Sequence, residues 1–141
     1  MTDVVTHQAG PVRLTSSTRT VLAPALRGTV TGGLWAERRR VNREVSIPRG
    51  WDRLHEAGNF LNLELAAGLT TDGAYSSSLP FLDSDLYKWL EAVGWALADP
   101  ELDVVATAQL EEFLSTSAKL LAVAQEEDGY LDSNFQVLFP G

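Results

Sequence analysis

The chain has 141 residues, 45% of them hydrophobic and 21% charged, a composition that fits one globular domain and excludes a fibre or a disordered tail. Its 19 acidic against 11 basic side chains leave a formal charge of -8. That balance repels phosphate backbones and anionic lipid, so nucleic acid and membrane surfaces are poor partners and a neutral ligand is the better expectation.

Cysteine is absent, which removes disulfides, thiolate metal sites and a thiol nucleophile from this chain. The start MTDVVTHQAGPVRL lacks the cationic and apolar regions of a secretory leader, and no apolar run approaches ~18 residues. The cytoplasm is therefore the default compartment.

Residues 1–33 alternate short β-branched runs with Thr, Ser, Pro and Gly and read as an N-terminal extended or β arm: Val12 and Leu14, Val21 and Leu22, then Val30. Strands this short form no sheet alone and must lie on something else. From Leu34 the period becomes helical, with Trp35, Arg38, Val41, Asn42 and Val45 on one face as far as Pro48, a residue also suited to opening a new first turn. Trp51 and Leu54 continue to a stop at Gly58, and Phe60 to Ala67 form a further helical run up to Gly68. The stretch LTTDGAYSSSLP, 69–80, is polar and rich in turn residues and predicts a loop.

Ser84 is a candidate cap for the next helix, with Asp83 and Asp85 against the positive end of its dipole. The helix over 85–98 is apolar on nearly every side, which predicts an enclosed element. Glu101 to Gln125 then read as an amphipathic helix whose stripe includes Leu102, Ala106, Leu110, Phe113, Leu114, Leu121 and Ala124. An enclosed helix followed by a one-sided one is the pattern of an inner and an outer layer. EEDGYLDSN supplies a turn at Asp128-Gly129, and the chain closes on the apolar FQVLFPG, which predicts a chain cut before its natural end.

Several chemical motifs begin in the sequence and are not completed. Asp83-Ser84-Asp85 opens like a calcium loop, but Lys88 stands where the loop needs Gly and Gly94 where it needs Glu. His55-Glu56 opens like a zinc-protease helix, but Asn59 replaces the second histidine. No nucleophile elbow, phosphate loop or dinucleotide fingerprint occurs. Capping and dipole account for Asp83 and Asp85, with binding of substrate hydroxyls as the functional alternative to that reading. Lys88 and Glu91, three apart on one helix, are expected to pair with each other, and the cluster from Glu37 to Glu44 reads as an ion-paired or solvated face.

Three blocks, GGLWAERRRVNREVSIP (32–48), FLDSDLYKWLEA (81–92) and AQEEDGYLDSNFQ (124–136), together resemble the N-terminal third of the β-L-arabinofuranosidase family, glycoside hydrolase family 127. The resemblance implies a mainly α fold in which 34–141 form the first helices of an (α/α)6 barrel. A barrel of twelve helices needs ~240 residues at roughly 20 per helix and loop, so only its beginning fits here. The resemblance further implies hydrolysis of terminal arabinofuranose with retention, by a zinc-associated cysteine nucleophile and a glutamate acid/base beyond the matching region. No catalytic residue is then assigned to this chain and no cofactor to this segment. Zinc is implied for the full-length family, and the segment alone is expected to be inactive.

In such a barrel the loops feeding inner helices line the sugar pocket. Phe81 is then expected as a ring-face contact, Asp83 or Asp85 as a hydroxyl acceptor and Tyr130 as a wall. A homodimer is left open, and apolar surface is expected at 85–98 and at Phe135 to Phe139. Two rivals stand beside this reading: a freestanding helical binding module, and another helical-barrel carbohydrate enzyme such as an unsaturated-uronide hydrolase.

Overall fold

A computed structural model of the chain describes residues 30–99 and 101–140, and within them it is mainly helical with no strand. The strands expected at Val12, Leu14, Val21 and Leu22 lie outside the described residues, and Val30 is in irregular backbone.

The first helical stretch does not stop at Pro48. Helix α1 (Gly33–Val41), a π turn (Asn42–Ser46) and helix α2 (Ile47–Glu56) run on as one rod, with right-handed helical dihedrals at every junction. Pro48 has no N–H, and its ring would collide with the carbonyl four residues back in a regular helix. The chain widens one turn immediately before it: the Ile47 N–H donates to the Asn42 carbonyl, five residues away. Gly58 ends the rod in the left-handed conformation, φ 83°. A Cβ there would stand 2.3 Å from the Ser76 side chain, so both backbone and space require glycine.

Helix α3 (Asn59–Ala66) follows, then the irregular 69–79 stretch and a turn at 80–82, and then α4 (Asp83–Leu97). Ser84 does not cap α4 but lies inside it. The turn at 80–82 already presents carbonyls to the helix, so Ser84 and Asp85 donate their N–H groups to Phe81 and Leu82 at 3.1 and 3.0 Å. Nor is α4 enclosed: Leu86, Trp89, Leu90, Val93 and Ala96 face inward, while Asp85, Lys88, Glu91 and Trp95 face solvent. Lys88 pairs with Asp85 at 3.3 Å, not with Glu91, which accepts a long contact from the Trp95 indole at 3.4 Å.

Helix α5 (Val104–Ala124) starts three residues later than the sequence reading placed it, because the Asp103 carboxylate caps it, accepting from the Val105 and Ala106 N–H groups. Its buried positions are Leu110, Phe113, Ser117, Leu120 and Ala124, alternating three- and four-residue steps along one face. A short α6 (Ser133–Leu138) closes the described chain, with Phe135 and Phe139 exposed.

Two apolar clusters form the core, one around Leu63, Leu86 and Leu120 and the other around Ile47, Val93 and Leu110. Trp51 and Trp89 pack against both and join them. Trp51 stacks on Phe113 with ring centroids 4.5 Å apart, which locks α2 against α5. The Trp89 indole N–H donates to the Ile47 carbonyl at 2.9 Å, a close approach that Gly50 permits.

Candidate functional site

The start of α3, the turn before α4 and the start of α6 meet at one end of the helices. The loop between α3 and α4 is pinned there by two buried asparagines. Asn59 donates from Nδ2 to the Leu82 carbonyl at 2.8 Å, and Asn62 accepts the Ser76 N–H at 2.7 Å. The Ser76 hydroxyl completes the anchor by donating to the Ala57 carbonyl at 3.0 Å.

Asp83 is the hinge of the arrangement. Its side chain is buried, and both carboxylate oxygens accept from one residue fifty positions on: the Ser133 N–H at 2.7 Å and the Ser133 hydroxyl at 2.5 Å. Tyr75 comes to 3.4 Å from the same hydroxyl. With the single serine proton given to Asp83, that contact has Tyr75 as its donor. The start of α6 is further held by the Asp132 carboxylate, which accepts the Asn134 and Phe135 N–H groups. Gln136 bridges back to α5, accepting the Asp132 N–H and donating to the Ala124 carbonyl.

Tyr87 lies one turn beyond Asp83 on α4, 38% exposed and within reach of the charges of Asp83 and Asp132. Burial, and then the charges of Asp83 and Asp132, push its phenol up to about 12, so it stays a hydrogen-bond donor through the neutral range. The turn from α5 to α6 is bonded to itself: the Glu126 N–H donates to the Tyr130 carbonyl, the Tyr130 N–H to the Asp128 carboxylate, and the Gln125 amide to the Gly129 carbonyl. Burial, and the charges of Asp132 and Glu126, raise the Tyr130 phenol above its ordinary value.

The four residues named from sequence divide. Phe81 and Tyr130 are exposed, 60% and 45%, and Asp85 is exposed beside Lys88. Asp83 points inward, its oxygens occupied by Ser133, so it positions the two loops instead of facing solvent. An open hollow of about 600 Å³ lies next to the second loop, lined by Gln125 to Asp128, Gln136 and the end of α5, and none of the four lines it. The residues that tie the junction to Asp83 and its loop, Asn59, Tyr75 and Ser133, are not among the site residues expected from the sequence, nor is Tyr87 beside them. Tyr87 had a usable signal, its four-residue spacing from Asp83; Ser133, after a capping aspartate, had a weaker one.

Set beside this geometry, a family model described as the β-L-arabinofuranosidase, GH127 catalytic domain matches residues 28–140. The chain belongs to this family. It is 34% identical over 131 residues to the non-reducing end β-L-arabinofuranosidase of Bifidobacterium longum subsp. longum, an alignment that covers 77% of this chain. The chain spans 18% of that relative's length. The junction of α3, α4 and α6 thus lies within the matched part of a family 127 domain.

The zinc that the family resemblance implies finds no donor set among the described residues. No group of three or more His, Cys, Asp or Glu side chains is placed to hold a metal, and the sequence has no cysteine. His55 is otherwise engaged: its Nδ1 lies 2.9 Å from the Trp51 carbonyl, and its ring stacks on Phe60 at 3.9 Å. Among the described residues no helix is long and apolar enough to cross a membrane.

Proposed function

We propose that this chain forms the opening helices of a family 127 (α/α)6 barrel and supplies two loops to the rim of its sugar pocket. The observation that carries the reading is the Asp83–Ser133 tie, which brings the loop before α4 and the loop before α6 to one place within the matched region.

On that rim Phe81 offers a ring to the apolar face of a furanose, Asp85 an exposed carboxylate, held only by its surface pair with Lys88, for sugar hydroxyls, and Tyr130 a wall with a polar tip. Asp83 shapes the rim from below. The substrate is a terminal β-L-arabinofuranoside, by analogy with the B. longum relative. The nucleophile, the acid/base and the zinc belong to other parts of the parent enzyme, so this segment binds and does not cleave. A cytoplasmic location goes with the reading.

The test is an assay of the protein read on past Gly141. An open frame bringing cysteines, and release of arabinose from β-L-arabinofuranosides in preference to unsaturated uronides, supports the proposal. An immediate stop supports a freestanding binding module instead. A crystal soaked with arabinose that shows no contact from residues 81–87 or 125–130 removes the rim assignment.

A further inference from the structure

None of the nine residues of α1 or the five of the π turn is buried. The first side chain of the rod to enter the core is Ile47, packed in the cluster of Val93 and Phe113. At 1.5 Å per residue the stretch before it is a rod of about 20 Å without a hydrophobic anchor. A helix of that length with no buried face is marginal by itself, so other contacts must hold it.

Among the described residues, the ion pairs that tie it to the rest of the chain centre on one carboxylate. Arg39 Nη2 and Arg43 Nη1 each lie 3.0 Å from Asp99 Oδ2 at the end of α4. The other oxygen, Oδ1, accepts the Glu101 N–H at 3.0 Å, so Asp99 is fixed in its own turn and does not follow the arginines. The Arg43 and Asp99 side chains are 15% and 10% exposed, which shields the pair from solvent screening. Glu101 and Glu44 stand farther from Arg43, at 3.5 and 3.7 Å. Arg40, in contrast, is paired among the described residues within the stretch, to Glu37 and Glu44. The π turn and Pro48, where the backbone ladder is interrupted, lie where this stretch meets the body.

We propose that Gly33–Ser46 is a hinged arm, latched to the α4–α5 connection by the Asp99 carboxylate and able to swing free while the helices from Ile47 onward stay folded. The body is held by buried aromatic and aliphatic contacts and the arm by charge-assisted hydrogen bonds, so the two open separately. The inference rests on the geometry of the arm alone and stands or falls independently of the sugar-binding reading.

Amide hydrogen exchange on the 141-residue chain tests it. Asp99→Asn keeps an acceptor for the Glu101 N–H and removes the charge. Amides of 34–46 then exchange about tenfold faster, while those of 110–124 keep their rates. The double variant Arg39→Gln, Arg43→Gln gives the same pattern, and Arg40→Gln gives none. If Asp99→Asn fails to fold, the double variant decides alone. Unchanged arm rates in the variants that fold overturn the latch, and equal acceleration of arm and α5 overturns the separate arm.

Discussion

Asp83 accepts two hydrogen bonds from Ser133, one from its backbone and one from its hydroxyl, at 2.7 and 2.5 Å. One buried carboxylate therefore satisfies the first N–H of α6 and fixes where the chain re-enters after α5. Removing it leaves two buried donors without a partner, each costing about 1–3 kcal/mol. Asp83→Ala is expected to lower the stability of the chain by roughly 3 kcal/mol, and Asp83→Asn by less, because one carbonyl acceptor survives. Urea denaturation followed by circular dichroism measures both. A loss for Asp83→Ala no larger than that of an exposed-site control such as Asp85→Ala contradicts the assigned role.

Gly50 lets the Trp89 indole reach the Ile47 carbonyl. A Cβ at this position would sit 2.3 Å from the indole Nε1 and 2.5 Å from its neighbouring ring carbon. Alanine favours helices, so propensity alone predicts that Gly50→Ala stabilises α2 by up to about 1 kcal/mol. The collision outweighs this: the indole must move, its hydrogen bond is lost, and net destabilisation of about 1–3 kcal/mol is expected. A lowered melting temperature with a red-shifted tryptophan emission checks it. A raised melting temperature would mean that Trp89 repacks at no cost.

Asp99 makes the stability of the chain sensitive to acid. Burial works to raise its pKa, but the Glu101 N–H and the guanidinium groups of Arg39 and Arg43 outweigh it and hold the carboxyl below its ordinary value of 3.8. A depressed carboxylate contributes stability that is present above the unfolded-state pKa and is lost as pH falls through the folded-state pKa. The difference in melting temperature between the parent chain and Asp99→Asn is therefore expected to be constant above about pH 5 and to shrink in more acidic solution. A difference that stays constant throughout the acid range assigns the effect of the substitution to something other than charge.

Tyr87 reports on the same junction from the alkaline side. Its phenol is pushed from 10.0 to about 12 by burial and by Asp83 and Asp132. The protonated form is the one favoured by folding, so its contribution is complete below pH 10 and is lost as pH rises toward 12. In a spectrophotometric titration of the three tyrosines, Tyr87→Phe should remove the last phenolate to appear. Asp83→Asn should bring that phenolate to lower pH. A titration in which Tyr87→Phe removes the first phenolate would place the ring away from both carboxylates.

The local grammar of the chain was legible, and the long-range polar ties were not. The stop at Gly58, the irregular stretch before α4 and the core face of α5 follow from residue type and spacing, which act over a few positions. Asp99 reads from sequence as a residue that ends a helix. Its partners Arg39 and Arg43 are 60 and 56 positions away, and no periodicity connects them. Ser84 reads as a cap because it is the residue type that caps, whereas in the structure the preceding turn supplies backbone acceptors for the N–H groups concerned. Helix α4 looked enclosed because Tyr87 and Trp95 count as apolar, yet both lie on its exposed side. Hydrophobicity shows that a face can be covered, not which neighbour covers it. In the candidate site, Phe81 and Tyr130 are surface aromatics recognisable from the resemblance, but the inward turn of Asp83 depends on a serine fifty residues away.

That inward turn separates the two aspartates in a measurable way, provided the sugar-pocket proposal holds. Asp85 faces solvent, and its lysine partner at 3.3 Å is also exposed, so the pair is weak and the carboxylate can be drawn to a sugar hydroxyl. In the complete enzyme, Asp85→Asn should raise KM for a terminal arabinofuranoside by about tenfold with kcat little changed, as expected when uniform binding is lost. Phe81→Ala should behave likewise, through the lost ring-face contact. Asp83→Asn acts through loop position, so it should depress thermal stability as well as raise KM. Steady-state kinetics and melting curves on the three variants separate these outcomes. A KM unchanged in both Asp85→Asn and Phe81→Ala would move the sugar away from the α4 rim while leaving the family membership of the chain intact.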